Sequence, residues 1–197
     1  SDKTFWDTIE VVNKPLMASH SSSWEVCKHP RNMKDDMLKA VATNGGVVCV
    51  NFYPGFVGEE LRIANENLEN QMWAEIDDLE RFAKRSPSGH FDKSAEYLEK
   101  EKQNITKRYE IIRKDIPLPT LSDVVDHIDH MVKVAGIDHV GLGSDFDGIP
   151  EGPVGLEDCT KFPSITEELM RRGYSDYDIQ KILGLNTMRV MEENVGK

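Results

Sequence analysis

The chain has 197 residues, 39% of them hydrophobic, and a formal net charge of −11. That length and apolar content suit one globular domain with room for an excursion, and the negative charge argues against nucleic acid and against charge-driven binding to anionic membranes. No apolar run reaches the ~18 residues needed to span a bilayer, and the three cysteines, Cys27, Cys49 and Cys159, lack the spacing of a disulfide framework or zinc ribbon.

Residues 3–12 read as a helix, with Phe5, Ile9 and Val12 on one stripe, stopped at Lys14-Pro15. A short apolar strand, residues 16–19, follows and ends in His20. The loop 21–31 is polar, with Trp24 and Val26 as anchors. Asn32 is the expected N-cap of a helix that carries Asp35 and Asp36 in its first turn, buries Met33, Met37, Leu38 and Val41, and closes at Asn44-Gly45. Residues 47–52 form a second apolar strand before the turn Tyr53-Pro54-Gly55.

Residues 58–114 differ in kind. They are rich in Glu, Lys, Asn and Gln. Leu61, Leu68, Met72, Ile76 and Leu79, then Phe91, Leu98, Ile105, Tyr109 and Ile112, recur at helical spacing. Two long amphipathic helices joined at Ser86-Pro87-Ser88-Gly89 are expected. Residues 120–136 then read as a helix, with a capping pattern at Thr120 and Asp123 and a close at Gly136. A third apolar strand, residues 137–142, runs into Gly143-Ser144-Asp145-Phe146-Asp147-Gly148. Ser175 opens another helix, and Gly184 marks a break before residues 186–193. Short, nearly all-apolar strands alternating with helices predict an α/β fold with a parallel sheet covered by helices.

Three residues stand out chemically. His20 lies at a strand end among small residues, as either a metal ligand or a structural histidine. Asp145 is presented by a glycine-lined turn. It is either a strand-end carboxylate positioned for chemistry or an ordinary Asp turn. Arg31 is either a bidentate clamp for a carboxylate or a surface loop residue. His127, Asp129 and His130 fall mid-helix and read as helix-surface or packing residues. No phosphate-binding glycine loop and no G-x-S-x-G elbow occurs.

Several stretches together resemble the membrane (renal-type) dipeptidases. They are residues 15–32 (PLMASHSSSWEVCKHPRN), 45–52 (GGVVCVNF), 127–148 (HIDHMVKVAGIDHVGLGSDFDG), 155–158 (GLED), 165–173 (ITEELMRRG) and 186–190 (NTMRV). The resemblance implies a TIM-like β/α barrel, of which residues 1–197 match the C-terminal portion, about the last three strand–helix units. Residues 58–118 are then a helical-hairpin insertion. It also implies zinc-dependent hydrolysis of dipeptides at a two-metal site, with His20 as a metal ligand, Asp145 as the catalytic proton carrier and Arg31 as the substrate-binding cation. Tyr53 and Phe56 would wall the pocket, and Asp147 would belong to the turn.

The family's remaining ligands have no match here, so the resemblance implies a chain incomplete for activity alone and partnered by the N-terminal portion of the barrel. A homodimer is a further expectation by analogy, and a soluble, cytoplasmic setting is favoured. Two other readings stand beside the first. One is a barrel amidohydrolase acting on N-acyl or D-amino acid derivatives. The other is a non-catalytic truncated chain whose hairpin binds a partner.

Overall fold

A computed structural model describes residues 2–85 and 95–196. The turn expected at residues 86–89 lies outside the described residues, as do His90 and Phe91. The chain divides into two compact units, residues 1–59 with 118–197, and residues 60–117.

In the first unit, α1 (Asp2–Val11) leads to β1 (Met17–Ala18), α2 (Asp35–Thr43), β2 (Val47–Val50) and a short α3 (Pro54–Val57). The chain then enters α4 (Glu59–Arg85) and α5 (Ala95–Arg113) before returning through α6 (Leu121–Ala135) to β3 (Val140–Leu142). The helices α7 (Phe162–Arg171), α8 (Asp176–Gln180) and α9 (Asn186–Val195) complete it. The three strands are parallel in the order β1-β2-β3, with Met17 opposite Val47 and Cys49 opposite Gly141.

All four residues of β2 are buried, as expected of a central parallel strand covered on both faces. Val48 and Val50 pack into the main core with Leu38 and Val41 of α2 and Val124 and Ile128 of α6. Val47 and Cys49 face the opposite way, with Val190 of α9 and Met17. Helix α6 forms where its signals lie. Thr120 and Asp123 make the reciprocal capping box, and Val124, Val125, Ile128 and Met131 give it a buried stripe.

The strands are shorter than the apolar runs suggest. Residues 137–139 form a single turn rather than the start of β3. The Asn186 side-chain amide donates to the carbonyls of Ile137 and Val140, each at 2.8 Å, which draws this segment towards α9. Arg189 reaches the Gly45 carbonyl at 2.6 Å and that of Asp138 at 2.9 Å. The NTMRV stretch therefore pins the N-terminal ends of β2 and β3. That is the stabilising end of a parallel strand array rather than its reactive end. Gly184 sits in a wide turn, residues 181–185, between α8 and α9.

Considered by itself, the second unit is a pair of helices. Leu61, Ile76, Ala83 and Ile105 are buried. Lys102 pairs with Glu80 at 2.5 Å, and Arg108 pairs with Glu75, linking α4 to α5. Ile112 departs from the expected apolar stripe and is exposed.

Candidate active site

Each strand delivers a polar side chain just past its C-terminal end: His20 after β1, Asn51 after β2 and Asp145 after β3. His20 Nε2 lies 3.8 Å from Asp145 Oδ1, with the two side chains 42% and 33% exposed. This is too long for a hydrogen bond, so each group keeps capacity for a third participant. His20 Nδ1 is 2.8 Å from the Ser19 hydroxyl, which orients the ring and leaves Nε2 facing Asp145.

Backbone packing creates this approach. Gly143 follows β3 and donates its N–H to the Val50 carbonyl at 2.9 Å. A Cβ on Gly143 would stand 1.9 Å from the Ser19 carbonyl oxygen. Without that side chain, the segment after β3 crosses the end of β2 and touches the segment after β1, although β1 and β3 are not neighbours. Asp145 is the one positive-φ non-glycine residue among those described, at φ 64°. Asp tolerates this region better than most residues, at a cost of order 1 kcal/mol. The turn closes through the Gly148 N–H, which donates to the Asp145 carbonyl at 2.8 Å. Asp147 is exposed in the same turn.

Asn51 was not singled out from sequence, where it reads as the end of an apolar run. It is fully buried. Its Nδ2 donates to Asp145 Oδ2 at 3.2 Å, its Oδ1 accepts from the Tyr53 N–H at 2.6 Å, and its carbonyl accepts from the Ser22 hydroxyl at 3.3 Å. A polar residue directly after a buried strand, between the strands that lead to His20 and Asp145, was the available signal.

Arg31 is exposed, and its guanidinium stacks 5.7 Å from the Phe56 ring centre. Phe56 also meets His29 at 4.2 Å and Tyr53 at 4.8 Å. Arg31 thus stands on an aromatic wall built partly from the turn that holds Asn51. No hydrogen bond or ion pair joins Arg31 to His20 or Asp145 among the described residues. Asn32 is not the N-cap of α2. That position falls to Lys34, which makes no side-chain cap, and the helix starts at Asp35. Asn32 is buried instead. It donates to the carbonyls of Cys27 and Phe56 at 2.8 and 2.7 Å and accepts from the Ser22 N–H at 3.2 Å. The Met33 N–H is already bonded to the Ser22 carbonyl, which holds this stretch extended.

His127 is a packing residue of α6, fully buried. Its Nδ1 accepts from the Ser23 N–H at 3.0 Å and its Nε2 donates to the Val57 carbonyl at 3.0 Å. One ring therefore ties the loop after β1 to the end of α3. Burial pushes its pKa down to about 4, so the imidazole is neutral at neutral pH. His130 bonds Asp35 at 2.7 Å and His139 bonds the Gly46 carbonyl at 2.8 Å, both away from the C-terminal strand ends that carry His20 and Asp145.

The sequence profile of the membrane dipeptidases, peptidase family M19, matches residues 1–196. The chain belongs to the membrane dipeptidase family. It is 34% identical over 194 residues to an uncharacterized dipeptidase of Schizosaccharomyces pombe, covering 98% of this chain and 34% of that protein. It is 33% identical over 193 residues to dipeptidase ataJ of Aspergillus terreus, with the same coverage of 98% and 34%. The crystal structure of the probable dipeptidase PvdM from Pseudomonas aeruginosa superposes with a TM-score of 0.71 at 27% identity, over 98% of this chain and 48% of that one. The chain spans about a third of the length of the curated relatives it matches.

Membership of a metallopeptidase family raises the question of metal. His20 fits as a donor, since one ring nitrogen is engaged by Ser19 and the other faces a carboxylate. Among the described residues, no group of three or more His, Cys, Asp or Glu side chains gathers to hold an ion. The chain thus offers one well-oriented imidazole with an adjacent carboxylate. No described helix is long and apolar enough to cross a membrane.

Proposed function

We propose that this chain carries part of the catalytic centre of a metal-dependent dipeptidase that hydrolyses dipeptides with a free C-terminal carboxylate. In this reading, residues 1–197 form the last three strand–helix units of a β/α barrel, and residues 58–118 are a helical insertion in it. The supporting observation is the His20–Asp145 pair, 3.8 Å apart at the C-terminal ends of strands in one parallel sheet. That is the end at which β/α barrels place their chemistry.

His20 would hold the metal through Nε2, with donors beyond the described residues completing the coordination. Zinc suits imidazole and carboxylate ligands. When bound, such an ion polarises the scissile carbonyl and lowers the pKa of the attacking water.

The chain's own residues do the rest. Asp145 accepts the proton of the water whose oxygen bonds to the carbonyl carbon. As the C–N bond breaks, Asp145 returns that proton to the leaving amine nitrogen. Arg31 pairs with the substrate carboxylate, and Phe56, itself packed on Tyr53, backs the guanidinium with a flat apolar wall. The Asp145 carboxylate is held for this role by the Asn51 amide on Oδ2, with His20 beside Oδ1.

Metal content and dipeptide hydrolysis of the purified full-length protein test this reading. Bound metal that His20→Ala removes, with amine release from free dipeptides exceeding that from C-terminally amidated and N-acylated ones, is the expected result. Faster hydrolysis of N-acyl amino acids, or metal that survives His20→Ala unchanged, overturns it.

A further inference from the structure

Asp145 is constrained at every point the structure shows. Its backbone is left-handed, its carbonyl is taken by Gly148, and its Oδ2 accepts the Asn51 amide. A Cβ on Gly148 would stand 2.3 Å from Oδ1, so that glycine leaves room for the carboxylate to settle over the turn. Asn51 has no freedom of its own. It is fully buried, its Oδ1 is fixed by the Tyr53 N–H at 2.6 Å, and its backbone belongs to the end of the central strand. A side chain whose acceptor end is locked presents its donor end in one direction only. That direction is Oδ2, which leaves Oδ1 facing His20.

We infer that Asn51 is the positioning residue of the site: its amide holds Oδ2 of Asp145 so that Oδ1 alone is presented to the reacting water and the leaving amine. The inference rests on the dipeptidase reading for its catalytic consequence, but not for its geometry. Asn51 touches no reacting atom. It acts by fixing the carboxylate plane before substrate arrives, which is preorganisation of a proton carrier. The same amide couples this plane to the substrate wall, because Tyr53 is bonded to Asn51 and packs on Phe56, against which Arg31 lies.

Asn51→Asp is the informative variant. It keeps the shape of the side chain and the acceptor for the Tyr53 N–H, but turns the donor that faces Oδ2 into an acceptor. In the full-length enzyme, kcat is expected to fall by about 10²-fold, the usual cost of a small misplacement. KM and metal content are expected to stay near wild type. The readout independent of activity is thermal melting of a double-mutant cycle at fixed pH. Combined with Asp145→Asn, Asn51→Asp restores a donor–acceptor pair in the reverse sense. The double variant is therefore expected to regain most of the melting temperature that Asn51→Asp loses, while remaining inactive. Where Asn51→Asp does not accumulate, the Asn51→Ala and Asp145→Ala cycle reports the same coupling.

Additive melting losses, or a kcat unchanged by Asn51→Asp in an active enzyme, overturn the inference. Inactivity of the wild-type protein towards dipeptides would sink the dipeptidase reading instead, and the melting cycle would still decide the geometry.

Discussion

The ring of His127 accepts the Ser23 N–H through Nδ1 and donates to the Val57 carbonyl through Nε2, each at 3.0 Å. Protonation would place a second donor opposite the Ser23 N–H, so this bridge exists only with a neutral imidazole. The pKa, pushed down to about 4 from 6.5, expresses that preference. Between these values the unfolded chain binds more protons than the folded one, so stability rises with pH. The contribution is fully present above about pH 6.5 and is lost as pH falls towards about 4. A shift of this size corresponds to about 3 kcal/mol.

The check is chemical denaturation of wild type and His127→Gln across pH 4 to 7. Gln can keep a donor for Val57 but cannot take up a proton. The difference in stability between the two proteins is expected to shrink on acidification. Parallel curves would show that His127 does not carry the acid sensitivity.

Gly143 and Gly148 separate fold from chemistry. An alanine Cβ at Gly143 meets backbone, the Ser19 carbonyl, at 1.9 Å, and one at Gly148 meets the Asp145 carboxylate at 2.3 Å. Backbone cannot step aside as a side chain can. Gly143→Ala is therefore expected to cost roughly 2 kcal/mol or more, a drop in melting temperature of about 4–8 °C for a domain of this size. Gly148→Ala is expected to lower turnover with a smaller effect on melting. Melting curves and kcat for both variants check this, and a heat-stable, fully active Gly143→Ala protein would contradict the close approach of the two segments.

These residues also show how much could be read from the sequence. The three apolar runs, the capping box at Thr120 and the strand-end positions of His20 and Asp145 depend on neighbours within a few residues, and periodicity and turn chemistry report such neighbours directly. Asn32, Asn51 and His127 do not behave this way. From sequence Asn32 reads as a helix cap, because Asn before an acidic turn usually is one. It serves instead to satisfy the carbonyls of Cys27 and Phe56, the second of which lies 24 positions away. His127 answers groups 104 and 70 positions away. Buried polar residues are chosen by backbone groups they must satisfy, and those partners become identifiable only when the segments have been brought together. The third strand is shorter than its apolar run for a related reason, because such a run marks burial and does not mark where Asn186 draws residues 137–139 out of the sheet.

Arg31 tests the substrate class. Its guanidinium lies on the Phe56 ring and forms no ion pair or hydrogen bond with His20 or Asp145 among the described residues, so it is free to meet a substrate carboxylate. A hydrogen bond to a charged group is worth roughly 1.5–3 kcal/mol. Arg31→Ala is expected to lower kcat/KM for free dipeptides by about 10- to 150-fold and to leave C-terminally amidated dipeptides nearly unaffected. Equal losses on both substrates would remove the clamp role. Arg31→Lys is expected to recover only part of the loss, since an ammonium cannot make the bidentate contact.

The two carboxylates of the Asp145-Phe146-Asp147 turn lie two residues apart yet occupy different environments. Asp145 has a left-handed backbone, an amide from Asn51 on one oxygen and His20 at 3.8 Å from the other. Asp147 is exposed. If Asp145 carries the proton, Asp145→Asn removes a general base while retaining a side chain of the same shape. Turnover is expected to fall by about 10²–10⁴-fold, the contribution of one positioned proton-transfer group. Metal content should persist, because His20 Nε2 remains oriented by Ser19. Asp147→Asn is expected to leave turnover within about threefold of wild type, since the charge of an exposed carboxylate is already well screened by solvent. Both variants need kcat, metal content and melting temperature measured together. A metal-loaded, folded Asp147→Asn protein without activity, beside an active Asp145→Asn protein, would transfer the proton-carrying role to the exposed residue. The buried Asn51 contact would then be a structural support for the turn.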